Sequence, residues 1–356
     1  MQGTAYNPEV DLATEPRAGA DALWQAVDRL VDRAPSLTDL RSHKLELFAV
    51  RRWRALGRFI PAELLERERN AAIGALAAPL LLDRVRTAYD GELMLFKGPV
   101  VAARYPDPAL RSFSDVDLLA TNPAEAQTAL RAAGFVEVGN PAAYVDIHHL
   151  RPLCWPGLPL VVEIHSRPKW PDGIQPPPSV QELFAAVAPA EDRLKRLPEA
   201  HHVLLLAAHS WAHEPLRRLR DMIDIAVMAE AANRADVSNL ARDWRIERLW
   251  RSTIDAVDAV LDGEQRSWTL RLWAHNLEKT RERTVLETHL QRWLSDFAIM
   301  PPGAAAARLP RTLARELLPT ESERWGTKLS RTARAVRNAS RRRSEHNDEL
   351  DDQRRA

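Results

Sequence analysis

At 356 residues, 45% hydrophobic and 28% charged, the chain has an ordinary globular composition, with length for two or three domains and a sizeable core. A formal net charge of +1 argues against a dedicated nucleic-acid binder, and no stretch reaches the roughly 18 consecutive apolar residues of a membrane span. The single cysteine, Cys154, excludes an internal disulfide and suits a reducing cytoplasm, while residues 1–20 hold Glu9, Asp11 and Glu15 and no apolar run, so no signal peptide is expected.

Residues 1–18 are polar and read as a loose arm. Residues 19–90 read as a helical region: apolar spacing predicts helices over 20–34, 39–56 and 61–88, with Pro61 opening the third and Pro79 expected to kink or split it. The period then changes. Residues 91–170 read as β-α-β-α-β-β: a strand at 93–96, a two-turn helix from Pro99 to about Tyr105, a strand at 114–120, a helix at 123–133, and a hairpin of 144–154 with 160–165 around Pro156-Gly157. Residues 171–198 form a Pro-rich connection with one short helix near 181–187. Residues 199–325 are helical again, at about 199–213, 215–233, 237–260, 263–276 and 280–297, with a further stretch after Pro302. Residues 326–356 read as a basic and then mixed-charge tail. The fold class is α+β, a small mixed sheet between N-terminal and C-terminal helical regions.

Asp115 and Asp117 lie within one strand. Side chains at i and i+2 share a strand face, so the two carboxylates point together while Val116 and Leu118 face the core. Charges in apolar surroundings need a partner, and a divalent metal is the natural one. Two ions about 3.5–4 Å apart would clamp the attacking and leaving oxygens of a phosphoryl or nucleotidyl transfer. The plainer alternative is an exposed edge strand. Upstream, Lys97-Gly98 ends a strand and opens a helix, a place where phosphates are bound. Downstream, Glu163 and His165 share a face of the strand Val161-Val162-Glu163-Ile164-His165, and a third carboxylate there completes a metal site or takes a proton from an attacking hydroxyl.

FKGPVVAARYPDPALRSFSDVDLL, followed by HHLRPL and VVEIH, resembles the bacterial uncharacterised nucleotidyltransferase family (nucleotidyltransferase family 5) of the polymerase-β-like superfamily. RLRDMIDIA is similar to its later helical segment, and the resemblance covers about residues 45–230. It implies a nucleotidyltransferase core at 91–170, with Asp115, Asp117 and Glu163 as catalytic residues and ligands of Mg²⁺. Two ions are implied, with Mn²⁺ as the alternative metal. It further implies Gly98 as the phosphate-contacting turn, and Lys97, Arg111 and Ser114 as nucleotide-binding residues. NTP, with ATP expected, is then the donor, and an acceptor hydroxyl on a small molecule, peptide or protein attacks its α-phosphorus and releases pyrophosphate. Gly98-Pro99 departs from the Gly-Ser or Gly-Gly turn of the wider superfamily.

His209 and His213 are i, i+4 on one helix face, and His165 with one of His148 and His149 is expected to line the pocket, strand alternation sending that adjacent pair to opposite faces. Asp221 and Asp224 sit near Arg217, Arg218 and Arg220, where intrahelical pairing is the simplest reading. Arg331, Arg334 and Arg337 make a basic stripe in the tail, read as solvated. Two further functions stay open: a toxin-like nucleotidyltransferase acting on RNA, which only that stripe supports, and a catalytically idle binding module. Nucleic acid is not the favoured partner.

Overall fold

The computed structural model describes residues 20–188, 194–263, 267–319 and 324–344; the arm at 1–18 and the mixed-charge end from 345 onward lie outside these. The N-terminal helices are α1 (Ala20–Arg33), α2 (Leu37–Ser42), α3 (Glu46–Ala55) and α4 (Ala62–Ala88). The sheet region comprises β1 (Leu93–Leu95), α5 (Pro99–Ala102), β2 (Asp115–Ala120), α6 (Pro123–Ala132), β3 (Val136–Glu137), β4 (Leu153–Cys154), β5 (Val161–His165), α7 (Val180–Ala185) and β6 (Leu194–Arg196). The C-terminal helices are α8 (Glu199–His213), α9 (Leu219–Ala231), α10 (Arg234–Asp243), α11 (Glu247–Leu261), α12 (Trp268–Leu272), α13 (His275–Glu278), α14 (Val285–Ile299), α15 (Pro302–Leu317) and α16 (Trp325–Arg337).

The six strands run β3-β4-β5-β2-β1-β6. β2 is central, parallel to β5 and antiparallel to β1. Alternation along β2 sends Val116, Leu118 and Ala120 to one face, where they pack with Leu95, Val162 and Ile164 under α4 and α6. Asp115, Asp117 and Leu119 take the other face. There Leu119 joins Met94 and Phe96 under α7 and α8, through Leu183 and Leu205. The acids therefore lie at the edge of a helix-covered face, with α8 beside them. The helices before and after the sheet share one core, in which Val27 and Phe48 meet Leu204, Leu219, Leu249 and Trp273. No helix among the described residues is long and apolar enough to cross a membrane.

Several elements differ from the sequence expectation. The helix expected over 39–56 is two, α2 and α3, because Lys44 takes a left-handed conformation (φ 56°) and closes α2. α4 runs through Pro79 without a break; Pro79 is exposed, so the carbonyl it leaves unbonded needs no protein partner. α5 is one turn rather than two, since Asp107 caps a 3₁₀ turn that starts at Pro108. Within the Pro-rich connection, β6 adds an edge strand parallel to β1. Its three residues are too few to show a period. The helix expected over 237–260 starts earlier and is broken by Arg245 at φ 56°, giving α10 and α11, and 263–276 holds two short helices. The basic stretch from 325 is a helix rather than a loose tail: it forms α16, in which Lys328 is buried with its ammonium on the Glu316 carbonyl while Arg331 and Arg337 are exposed, as expected of a solvated stripe. Beyond it, Arg342 and Arg343 pair with Asp39 (2.8 Å) and Glu214 (2.7 Å).

Candidate active site

Parallel pairing of β2 with β5 sets Asp115 opposite Val161, Asp117 opposite Glu163 and Leu119 opposite His165. Registered residues on one face are neighbours, so Asp117 and Glu163 stand side by side. Asp117 is 2% exposed and holds two cationic or donor groups on Oδ1: the Lys97 ammonium at 2.8 Å and His165 Nε2 at 2.9 Å. His165 Nε2 is also 3.7 Å from Glu163 Oε2. Because His165 Nδ1 is buried without a partner, the proton belongs on Nε2, and a neutral ring donates it to Asp117. Phe96 meets the same ring edge-on at 5.0 Å and fixes its plane.

A cavity of about 900 Å³ opens over these groups. It lies within the range of pockets that hold nucleotide-sized ligands. Lys97, Gly98, Arg111, Ser114, Asp115, Asp117, His148, His149, Glu163, His209 and His213 all line it, while His165 stands behind Asp117, 1% exposed. Both His148 and His149 reach the cavity, contrary to the alternation argument. Residues 145–148 are irregular backbone, only an isolated bridge joins His149 to His165, and the two rings pack edge-on 4.8 Å apart. The hairpin with β5 is real but shorter than expected, since only Leu153 and Cys154 of its first arm pair with it in a strand. On α8, His209 Nε2 lies 3.4 Å from Lys97 Nζ, and His213 Nδ1 lies 2.8 Å from Lys169 Nζ.

Gly98 is where it is for steric reasons. Its backbone (φ 61°, ψ −116°) is open to glycine and scarcely to other residues, and a Cβ there would meet the Asp115 carbonyl at 2.9 Å. Arg111 is buried and fastens this turn: Nη1 donates to the Gly98 carbonyl at 3.2 Å, while Nε and Nη2 donate to the two oxygens of Asp224 at 2.8 Å each. Tyr105 also donates to Asp224, at 2.5 Å. Asp224 therefore pairs across 113 residues rather than along its own helix, and Arg111 holds the turn that carries Lys97.

The electrostatics favour a bound cation. Burial, then the charge of Asp117, raises Asp115. Burial, then Asp117 and Asp115, pushes Glu163 up to about 7. Burial opposes the charge of Asp117 as well, but Lys97 and the His165 hydrogen bond outweigh it and hold this carboxyl below the usual range. Burial lowers His165 and His213 to about 4 and His148 to about 3, so these rings are neutral at pH 7 and add no positive charge. Among the described residues Lys97 is the lysine or arginine in direct contact with the three carboxylates. Arg111 and Arg220 act on Asp115 and Lys169 on Glu163 from further away, yet Asp115 and Glu163 are still pushed toward protonation. Such a donor set fits a divalent cation, which supplies the missing charge. Potential ligand atoms of Asp117, Glu163 and His165 lie within 4.8 Å of one another, with Asp115, at the mouth of the strand, outside that group. With its proton on Nε2, His165 orients Asp117 and the carboxylates are the ligands.

A family model described as uncharacterised nucleotidyltransferase matches residues 36–262, well over half of the chain. The chain belongs to the uncharacterised nucleotidyltransferase family. The match runs from just before α2 to the end of α11, wider than the 45–230 of the motif resemblance, and takes in the break at Lys44 and the helices that carry His209, His213 and Asp224. No curated protein and no solved structure matches the chain at a significant level. In this nucleotidyltransferase-family chain, sequence reasoning named Arg111 but missed its pairing with Asp224 and Tyr105, and missed Lys169 and Lys44 as parts of the site. No sequence signal marks Lys169: it follows the end of β5 that lies away from Asp115, and the irregular chain after His165 returns it to the cavity.

Proposed function

We propose that the protein is a Mg²⁺-dependent nucleotidyltransferase, with Mn²⁺ as the alternative metal, that moves an NMP from an NTP, ATP by preference, to an acceptor hydroxyl. The observation that carries this reading is the side-by-side placement of Asp117 and Glu163, with Asp115 on the same strand face, at the floor of a cavity sized for a nucleotide. Asp115, Asp117 and Glu163 would hold the metal. When bound, it supplies positive charge against the triphosphate and lowers the pKa of the attacking hydroxyl.

The chain's own residues have distinct tasks. Lys97 and His165 fix the Asp117 carboxylate from two sides. Without a metal, burial and the neighbouring Asp117 and Asp115 push Glu163 up to about 7, and a bound cation would keep it ionised beside the attacking hydroxyl. The acceptor oxygen forms a bond to the α-phosphorus, the bond from the α-phosphorus to the bridging oxygen breaks, and pyrophosphate leaves with that oxygen. His148, His149 and Lys169, on the Glu163 side of the cavity, are placed to meet the acceptor. A small molecule, peptide or protein acceptor is preferred to RNA, since the chain carries a formal net charge of only +1. The lone Cys154 suits a cytoplasmic setting.

The test uses the full chain, Mg²⁺ and cell extract, with ATP, CTP, GTP and UTP labelled in turn at the α- and the γ-phosphorus. Label from the α-position is expected on the acceptor, and label from the γ-position in pyrophosphate. Transfer of the γ-label would identify a kinase, and absence of any transfer would favour an idle binding module.

A further inference from the structure

Nine Lys and Arg side chains line the cavity, against seven Asp and Glu. Five of the nine are paired with carboxylates: Arg41, Arg67, Lys97, Arg111 and Arg217. Among the described residues Lys44, Arg218, Arg220 and Lys169 make no salt bridge. Lys169 stands on the Glu163 side with His213, whereas the other three gather on the side of Asp115. Asp221 is the acid on which all three charges act, while Asp115 also acts on Lys44 and Arg220, Asp224 on Arg220 and Glu214 on Arg218. Burial, then the charges of Arg220 and Arg218, lowers Lys44 to about 8, although Asp221 and Asp115 act the other way.

The gathering is built and held. His43, 1% exposed, accepts the Leu219 N–H on Nδ1 (3.3 Å) and donates from Nε2 to the Arg281 carbonyl (2.8 Å), and its own carbonyl takes the Arg220 N–H (3.3 Å). This bolts the α2–α3 break to the start of α9. Lys44 occupies a left-handed position (φ 56°) that costs a non-glycine residue free energy, and Leu216, two residues before Arg218, does the same (φ 50°). Arg220 Nη1 donates to the Ser112 carbonyl at 3.1 Å, which anchors the guanidinium beside the strand that bears Asp115. The Gly98 turn offers much less to an anion. α5 is one turn long, Pro99 brings no N–H, and the Gly98 carbonyl is taken by Arg111.

We infer that the triphosphate of the nucleotide lies on the wall formed by Lys44, Arg218 and Arg220, supplied by the helical regions on either side of the sheet, and not on the Gly98 turn. The inference rests on the nucleotidyl-transfer reading, and it leaves the opposite side, with Lys169 and Glu163, to the acceptor.

Isothermal titration of the full chain in Mg²⁺ tests it, with inorganic tripolyphosphate and α,β-methylene-ATP as probes. Lys44→Gln and Arg218→Gln are each expected to weaken both probes about tenfold, the worth of one lost charge-assisted phosphate contact, while Lys169→Gln stays within about twofold of wild type. Lys44→Arg, which keeps the charge, is expected to restore most of the affinity. Far-UV circular dichroism checks each fold, and Arg218→Gln carries the test should Lys44→Gln not fold. Unchanged affinity in both Gln variants, or a loss in Lys169→Gln instead, overturns the wall while leaving nucleotidyl transfer in place. A wild-type chain that binds neither probe overturns both.

Discussion

Asp117→Asn is expected to lose NMP transfer by about a thousandfold or more, close to 4 kcal/mol of transition-state stabilisation, with its fold intact. The substitution is nearly isosteric. An Asn Oδ1 still accepts the Nε2–H of His165 at the 2.9 Å position that Asp117 Oδ1 now holds, so the buried ring keeps a partner. What disappears is the charge, which Lys97 faces at 2.8 Å and which the proposed metal needs. The loss should fall mainly on kcat at saturating Mg²⁺, with KM for the nucleotide rising as Mg²⁺ is lowered, because the metal that Asp117 would hold also meets the triphosphate. A steady-state assay with the identified acceptor separates the two. A variant with kcat within tenfold of wild type would remove Asp117 from the reaction.

Asp224→Ala is expected to destabilise the chain by about 3–5 kcal/mol, the cost of leaving a buried charge without its partner. Arg111 would lose both 2.8 Å bonds and Tyr105 its acceptor, while the guanidinium stays among buried groups. The same change loosens the Gly98 turn, since Arg111 Nη1 is what holds the Gly98 carbonyl. The cluster also carries a pH signature. Burial pushes Asp224 up, but the Arg111 charge and its hydrogen bonds more than offset this and hold the carboxyl below the usual range. Its contribution is therefore present at neutral pH and is lost as pH falls below about 4, through the lower folded-state value. Urea unfolding from pH 7 down to pH 3 should show a stability loss in the wild type that is shallower in Asp224→Ala. Equal stability of the two proteins at pH 7 would show that the cluster is not a fastener.

The chemistry of the sheet was legible because it is local. A period of two places Asp115 with Asp117 and Glu163 with His165, and apolar neighbours at Val116, Leu118, Val162 and Ile164 say which way the acids face. The cationic wall was not legible in this way. Lys44 and Arg220 are 176 residues apart, and the buried His43, bonded to Leu219 and Arg220, joins their segments. Asp224 was misread for the same reason: Arg217, Arg218 and Arg220 nearby offered a local partner, and its actual partner, Arg111, lies across the core. His148 and His149 escaped the alternation rule because their backbone is not a strand. The breaks at Lys44 and Arg245 were hidden because neither left-handed residue is a glycine, the usual signal for such a conformation.

The metal centre is the claim on which the rest depends, and Mn²⁺ electron paramagnetic resonance reads it directly. Titrating Mn²⁺ into the wild-type chain with α,β-methylene-ATP should quench the free-ion signal with one or two ions bound per chain. Asp117→Asn and Glu163→Gln should each weaken that binding by about tenfold or more, as expected where a carboxylate ligand of a divalent ion is lost. Mn²⁺ bound equally well by both variants, or not bound by the wild type, would contradict a metal site on Asp115, Asp117 and Glu163.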